Sequence, residues 1–130
     1  GSCAMGLNAT GADLDLTVQP AGFSTTQVPH DQQRAVVSEL AERMAGRYEA
    51  VEAVTAARVP LVRLVSQGRV EVDISVGNQV ARVKTMLLQA YASFDERCRQ
   101  LCFLVKRWAS RRRLDDPQEK KLNSYAWCLL

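Results

Sequence analysis

Three carboxylates lie in two segments of the sequence that alternate between polar and apolar residues. Asp13 and Asp15 alternate with aliphatic residues in positions 12–18, and Asp73 has the same setting in positions 69–76. Because a β-strand points successive side chains to opposite faces, the acids should share one face while the aliphatic residues bury the other. On neighbouring strands, three such carboxylates would form an oxygen-rich site for hard divalent cations such as Mg²⁺. Paired ions of this kind activate an attacking hydroxyl and stabilise a leaving oxygen in phosphoryl transfer.

The same alternation is also typical of the solvated face of an amphipathic sheet, so other motifs must separate the two interpretations. Gly1-Ser2 precedes Asp13 and Asp15, and we expect the spacer between them to form a short helix over residues 3–8 and a turn at 10–11. This order resembles the Gly-Ser, spacer, Asp-x-Asp signature of the DNA polymerase β-like nucleotidyltransferases. In that family the Gly-Ser opens a helix whose backbone N–H groups receive nucleotide phosphates, which is what unpaired donors at a helix N-terminus do.

Five later segments sharpen the resemblance to one branch of that superfamily. They are Val72-Asp73-Ile74-Ser75-Val76, Met86-Leu87-Leu88-Gln89-Ala90-Tyr91, Asp95-Glu96-Arg97-Cys98-Arg99-Gln100-Leu101, Leu104-Val105-Lys106-Arg107-Trp108-Ala109 and Asn123-Ser124-Tyr125-Ala126. Together they resemble the non-canonical poly(A) polymerases and terminal uridylyltransferases, over residues 1–18 and 69–130.

The resemblance implies an α+β fold in two parts. Residues 1–76 would form a polymerase β-like nucleotidyltransferase palm with a mixed sheet and helices, and residues 77–130 part of a helical nucleotide-binding domain. We also expect the chain to be truncated at both ends, because the family's preceding strand and later helices have no counterpart in the sequence. Residues 19–68 carry no motif that can be matched.

The resemblance further implies which residues form the site. The catalytic carboxylates, and the ligands of two Mg²⁺ or Mn²⁺ ions, are Asp13, Asp15 and Asp73. The nucleotide-binding residues are Gly1, Ser2, Lys84, Thr85, Lys106, Ser110, Ser124 and Tyr125. Lys106 stands where a family lysine meets the triphosphate, and Ser124 and Tyr125 match a pair that contacts phosphate and stacks on the base. Without the resemblance, Lys106 is an ordinary exposed helix lysine and Tyr125 an ordinary core tyrosine.

Three departures from the family pattern bear on function. Lys84 replaces an asparagine that grips the ribose and base, so the choice of nucleotide stays open. Ser110 replaces a second lysine one turn beyond Lys106, which removes a positive charge from the triphosphate site. Ala12 stands where serine is common. None of these changes touches the carboxylates, so an active enzyme is expected.

The expected function is template-independent transfer of a nucleotide to an RNA 3′-hydroxyl, with UTP preferred and ATP as the alternative. The partners are then an RNA 3′ end and a nucleoside triphosphate. A second alternative is a catalytically inactive RNA-binding relative, which Lys84 and Ser110 favour. A third is a small-substrate nucleotidyltransferase, which should lack the Val-Lys-x-Trp and Ser-Tyr segments that this chain has.

Composition is compatible with this function. The chain has 130 residues, 47% of them hydrophobic, and a net charge of +3 that is concentrated near the C-terminus. Such a basic block is either a solvated helix end or a phosphate-binding surface. There is no apolar run of membrane length, and the four cysteines have no zinc-ligand spacing. We therefore expect no membrane partner and an intracellular protein, either mitochondrial or cytoplasmic.

Periodicity predicts the elements that position these residues. A helix is expected over residues 32–47 and a hairpin of strands 59–66 and 69–76 around Gln67-Gly68. After Gly77 the period changes to that of a helix, and Ser93 with Glu96 is interpreted as the capping box of the next helix. That helix should bury Cys98, Leu101, Cys102, Val105, Trp108 and Ala109, and a last helix should follow Pro117.

Overall fold

The computed structural model describes residues 13–22, 28–66, 69–116 and 119–130. Their elements follow the order β1 (Leu14–Val18), α1 (His30–Met44), β2 (Glu49–Val54), β3 (Leu61–Val65), β4 (Glu71–Val76), α2 (Gln79–Phe94), α3 (Glu96–Arg111) and α4 (Ser124–Leu129). These described residues divide into two compact units, one ending at Val83 and the other beginning at Lys84. The helix predicted over 3–8 and the turn at 10–11 lie outside the described residues.

The first unit contains a mixed four-stranded sheet in the order β1-β4-β3-β2. β1 is parallel to β4, whereas β3 is antiparallel to both of its neighbours. The expected mixed sheet and the hairpin of β3 with β4 are therefore confirmed. One face of the sheet is the core, where Val62, Leu64, Val72, Ile74 and Val76 are buried with Val37 of α1. The other face is left for polar side chains.

α1 covers the core face of the sheet. Its apolar residues Val36, Leu40 and Met44 pack around the buried Val37 at helical spacing, as the sequence predicts. The helix begins after Pro29, whose fixed φ and missing N–H suit the position that precedes a first turn. It ends at Met44 rather than at residue 47, because the chain turns at Gly46, which has a φ of +81°.

β2 is an element that the sequence analysis missed. Its sequence Glu-Ala-Val-Glu-Ala-Val spaces the two valines three apart, which is a helical interval rather than the alternation of a strand. The structure explains the spacing by a register shift between Glu49 and Glu52, where Ala50 has a φ of +50°. An irregularity of this type inserts an extra residue into one strand and breaks the period of two.

The predicted capping box of α3 is wrong. Asp95 is the N-cap of this helix, and its carboxylate accepts a hydrogen bond from the backbone N–H of Arg97 at 2.8 Å. Ser93 belongs to the last turn of α2, where its hydroxyl donates to the carbonyl of Ala90 at 2.7 Å. Because α2 continues to Phe94, the N-cap position falls on Asp95, which supplies both an acceptor and a negative charge to the first turn of α3.

The predicted buried stripe of α3 is only partly confirmed. Ala109 is fully buried, but Leu101 is 60% exposed, and Trp108 and Cys98 are exposed as well. α4 packs against α3, with the ring of Trp127 edge-on to that of Trp108 at 5.5 Å between centroids. Within the described ranges, no helix is both long and apolar enough to span a membrane.

Candidate active site

Two of the three predicted carboxylates are register partners in the sheet. Asp15 of β1 pairs with Asp73 of the parallel strand β4. Partners in register point to the same side of a sheet, so these two carboxylates lie side by side on the face opposite the core. Asp13 immediately precedes β1 and is exposed. The fold thus brings Asp15 and Asp73 together, while their catalytic role stays a prediction.

A hydrogen bond between two hydroxyl groups helps to hold β1 and β4 in this register, two residues beyond Asp15 and Asp73. Thr17 and Ser75 are partners, and their hydroxyl oxygens are 2.6 Å apart. Ser75 Oγ also donates to the backbone carbonyl of Leu16 at 3.1 Å. Since a hydroxyl has a single proton, Thr17 Oγ1 is the donor of the first bond. At the end of the two strands, the backbone N–H of Gly77 donates to Val18 O at 2.8 Å and extends their pairing by one bond.

Arg63 of β3 is bound to Asp73 from the other side. Its Nε and Nη2 donate to Oδ1 and Oδ2 of Asp73, both at 2.9 Å, which is the bidentate arrangement of a guanidinium on a carboxylate. The Arg63 side chain is 50% exposed and that of Asp73 is 24% exposed. This hydrogen bonding and the charge of Asp73 raise the pKa of Arg63 above its ordinary value, with smaller contributions from Glu52 and Glu71.

These acids suit a divalent ion in donor type and in strand register. Carboxylate oxygens are the ligands that Mg²⁺ prefers, and the pairing of Asp15 with Asp73 puts two of them on adjacent strands. In the side-chain arrangement that the described residues adopt, however, no three His, Cys, Asp or Glu side chains converge closely enough to hold a metal ion. Both oxygens of Asp73 are engaged by Arg63 instead. The donor set therefore fits the expected ion, since each of these oxygens keeps a lone pair besides the one that accepts from Arg63.

Two of the predicted nucleotide-binding residues meet in the second unit. The Nζ of Lys84, on α2, lies 5.1 Å from the centroid of the Tyr125 ring, at the start of α4. This distance is within the range of a cation–π interaction. The side chain of Asn123 caps α4 by accepting from the backbone N–H of Ala126 at 2.8 Å, which fixes the first turn of the helix, where Tyr125 lies. Tyr125 itself is half-buried.

The remaining predicted nucleotide-binding residues are distributed over the same helices. Lys106 is half-buried on α3, and Ser110 is exposed in the last turn of that helix. Burial raises the pKa of the Cys128 thiol on α4 to about 11, and the positive charge of Lys106 opposes this shift. Thr85 follows Lys84 on α2, and Ser124 is the first residue of α4. Gly1 and Ser2 lie outside the described residues.

Arg63 is the residue of this site that the sequence analysis missed. Its signal was present in the hairpin, because a polar residue between Val62 and Leu64 must share a face with polar residues of β4. Identifying Asp73 as its partner required the register of that hairpin. Without that register, Arg63 would be interpreted as a member of an ordinary surface ion pair.

Comparisons with known proteins agree with this geometry. Residues 1–93 match the sequence model of a family described as "Poly(A) RNA polymerase, mitochondrial-like, central palm domain". The chain is 29% identical over its whole length to "Terminal uridylyltransferase cid1" of Schizosaccharomyces pombe, of which it covers 32%. It is 30% identical, again over its whole length, to "Poly(A) RNA polymerase GLD2" of Rattus norvegicus, of which it covers 28%.

A solved structure of the Cid1 poly(U) polymerase, with Mg and 3′-dATP bound, superimposes on 99% of the chain with a TM-score of 0.81 and 28% identity. The chain covers 39% of that structure. It therefore spans about a third of the curated relatives described above and somewhat more of this solved structure.

Proposed function

The chain belongs to the family of the poly(A) RNA polymerase, mitochondrial-like, central palm domain, and from this membership we propose that it carries the catalytic carboxylates of a template-independent RNA 3′-terminal nucleotidyltransferase. Residues 1–76 are the catalytic palm in this proposal, and residues 77–130 are part of the helical nucleotide-binding domain. The observation that carries the proposal is the pairing of Asp15 with Asp73 on adjacent parallel strands. Parallel strands need a long crossover connection, and here it brings together acids from two distant segments of the chain. This pairing is more specific evidence for a catalytic site than an alternating acidic strand alone.

Asp13, Asp15 and Asp73 would hold the divalent ions, Mg²⁺ or Mn²⁺. The chemistry supplied by such ions is activation of the RNA 3′-hydroxyl and neutralisation of the phosphate charges. The protein's own contribution is to fix the carboxylates: the bonds of Thr17 and Ser75 keep β1 and β4 in register. A register change of one residue would turn Asp15 towards the core.

The second unit supplies the nucleotide contacts in this proposal. Lys106 binds the triphosphate by charge, and the ring of Tyr125 stacks on the base. Ser124 binds a phosphate oxygen through its hydroxyl. Lys84 covers part of the Tyr125 ring, so it would influence how a base reaches that ring. Thr85, Ser110 and the N-terminal Gly1-Ser2 complete the set that the family pattern suggests.

UTP is the proposed substrate and ATP the alternative. Both have support in the relatives, since one is a terminal uridylyltransferase and another a poly(A) RNA polymerase at nearly equal identity. Lys84 favours neither, because it replaces the asparagine of the family pattern.

The test is extension of a generic RNA by the full-length protein with each of the four nucleoside triphosphates separately. We expect extension with UTP, a smaller extent with ATP, and loss of both on chelation of divalent ions. The variant Asp73→Asn should reduce turnover at least about 10²-fold, since it removes a charge from the reacting centre.

The matched control is Asp31→Asn, which makes the same chemical change at an exposed position in the first turn of α1. Its turnover should stay close to that of the parent protein. Extension that survives both chelation and Asp73→Asn would rule out the proposed activity. Binding of RNA without extension by any nucleotide would instead support the inactive relative.

A further inference from the structure

Arg63 lies in the middle of a row of charged residues that crosses the sheet. The register aligns Asp15 of β1, Asp73 of β4, Arg63 of β3 and Glu52 of β2. All four residues belong to the face opposite the core, because their neighbours Val62, Leu64 and Val72 are buried beneath the sheet. One cation is thus flanked by carboxylates on both sides within this row.

The contact of Arg63 with Asp73 uses the groups that a metal ion would need. Both carboxylate oxygens of Asp73 accept from the guanidinium at 2.9 Å. Oxygens bound in this way still have lone pairs, but the guanidinium places a positive charge within a few ångströms of any ion that coordinates them. Two positive charges at such a distance repel each other, by an amount that depends on the local dielectric.

We propose that Arg63 is a positioning residue that acts as the counter-ion of Asp73 and competes with the divalent ion for its carboxylate. This inference rests on the proposed function, since it requires that Asp73 is a metal ligand. Before the ion binds, Arg63 holds the Asp73 side chain towards β3 and limits its repulsion with Asp15. Binding of the ion then puts a second positive charge next to the guanidinium, so it weakens the contact between Arg63 and Asp73.

This role differs from that of an ordinary surface ion pair. An exposed pair contributes little to stability and does not alter the binding of a third group. A counter-ion that occupies the ligand instead weakens the intrinsic affinity for the ion, so its removal strengthens binding. It also offsets the repulsion between the carboxylates of Asp15 and Asp73 when no ion is bound.

The test measures Mn²⁺ binding to the full-length protein by electron paramagnetic resonance, without nucleotide or RNA. Arg63→Gln should lower the Kd for Mn²⁺ about tenfold, since it removes one positive charge next to the ion. Arg63→Lys keeps the charge but loses the two-pronged contact, so its Kd should lie between those of the parent and Arg63→Gln.

The matched control is Arg43→Gln, which also removes one arginine from an ion pair. Arg43 pairs with Glu39 on α1, and this helix packs on the core face of the sheet, away from Asp73. Its Kd for Mn²⁺ should equal that of the parent protein. A double-mutant cycle provides the decisive comparison. In the background of Asp73→Asn, Arg63→Gln should no longer tighten Mn²⁺ binding, because the carboxylate for which it competes is absent.

The outcomes separate this inference from the proposed function. If Asp73→Asn weakens Mn²⁺ binding while Arg63→Gln leaves it unchanged or weakens it, the competition is wrong and the metal site stands. A gain that persists in the Asp73→Asn background reflects general charge and also contradicts the inference. Absence of Mn²⁺ binding by the parent protein would overturn both. Should Arg63→Gln fail to fold, Arg63→Lys still decides the question by whether its Kd falls.

Discussion

Gly77 follows β4 directly, and a methyl group at this position should destabilise the sheet that carries Asp73. Its φ is +61°, a left-handed conformation that disfavours residues with a Cβ atom. A Cβ built on Gly77 would lie 2.5 Å from Cγ2 and 2.9 Å from Cβ of Val28. Rotation of the Val28 side chain cannot relieve the second contact, because Cβ is fixed to the backbone, and Val28 is almost completely buried. The variant Gly77→Ala therefore combines two separate costs.

The magnitude can be worked out from these two costs. The left-handed conformation of an alanine costs about 1–2 kcal/mol. The lower entropy of the unfolded chain returns about 0.4–1 kcal/mol of this. Displacing a packed side chain such as Val28 adds about 1–3 kcal/mol. We expect Gly77→Ala to lose about 1–4.5 kcal/mol of the free energy of unfolding of the first unit, the sum of these contributions.

Gly46→Ala is the matched control for the conformational part of this cost. Gly46 has a φ of +81°, and a Cβ there would have nothing within 4 Å. It should therefore lose only about 0–1.5 kcal/mol, from the same conformational contributions. The difference between the two variants, about 1–3 kcal/mol, isolates the contact with Val28.

The assay is amide hydrogen exchange of the full-length protein, followed by mass spectrometry of peptides from β1 and β4. Exchange that proceeds through opening reports the free energy of that opening for each segment. Both strands should lose protection together in Gly77→Ala, because the Gly77 N–H also donates to Val18 O. Equal loss of protection in Gly77→Ala and Gly46→Ala would refute the packing argument.

Three further predictions concern the second unit. Tyr125→Ala should weaken nucleotide binding by about 1–3 kcal/mol, the value of one stacked base, and Tyr125→Phe should change it little; equilibrium titration with UTP measures both. Lys84→Asn removes a cation–π contact worth about 0.5–1 kcal/mol and should change the UTP-to-ATP ratio of kcat/KM, whereas Lys106→Ala should lower both values alike. The opposite pattern would mean that the base contacts are assigned to the wrong residues. Because burial raises the pKa of Cys128 to about 11, its thiol stays protonated at neutral pH. Cys128 should therefore alkylate much more slowly than the exposed Cys98, with a rate that rises as the pH approaches this pKa; mass spectrometry after timed iodoacetamide treatment would show whether the two react equally.

Much of the first unit could be predicted because its elements have clear periodicities. The alternation around Asp15 and Asp73 identified β1 and β4, and the helical stripe around Val37 identified α1. β2 escaped because its irregular register removes the alternation on which the prediction depends. The cap of α3 was misplaced because Ser93 and Asp95 are both common N-cap residues, and their choice depends on where α2 ends.

The exposed residues of α3 illustrate a different limit of sequence reasoning. Helical spacing identifies which residues share a face, but it does not say what covers that face. Leu101 and Trp108 share the predicted stripe with Ala109, yet only Ala109 is buried within the described residues. Burial depends on the partner that packs there, and periodicity carries no information about that partner.

The pairing of Arg63 with Asp73 depends on a single residue of loop length. A two-residue turn at Gln67-Gly68 would set Ser66 opposite Arg69 and Arg63 opposite Val72, on the core side of β4. In the structure the backbone N–H of Ser66 bonds to Val70 O, so three residues separate the strands, and Arg69 takes a φ of +61°. Three-residue connections commonly end in a left-handed residue of this kind. Because a shift of one residue exchanges the two faces of a strand, this extra residue puts Arg63 opposite Asp73 instead of opposite a core valine. The sequence of the turn, with glycine before rather than at the left-handed position, does not reveal this length. The partner of Arg63 could thus be identified only from the observed register.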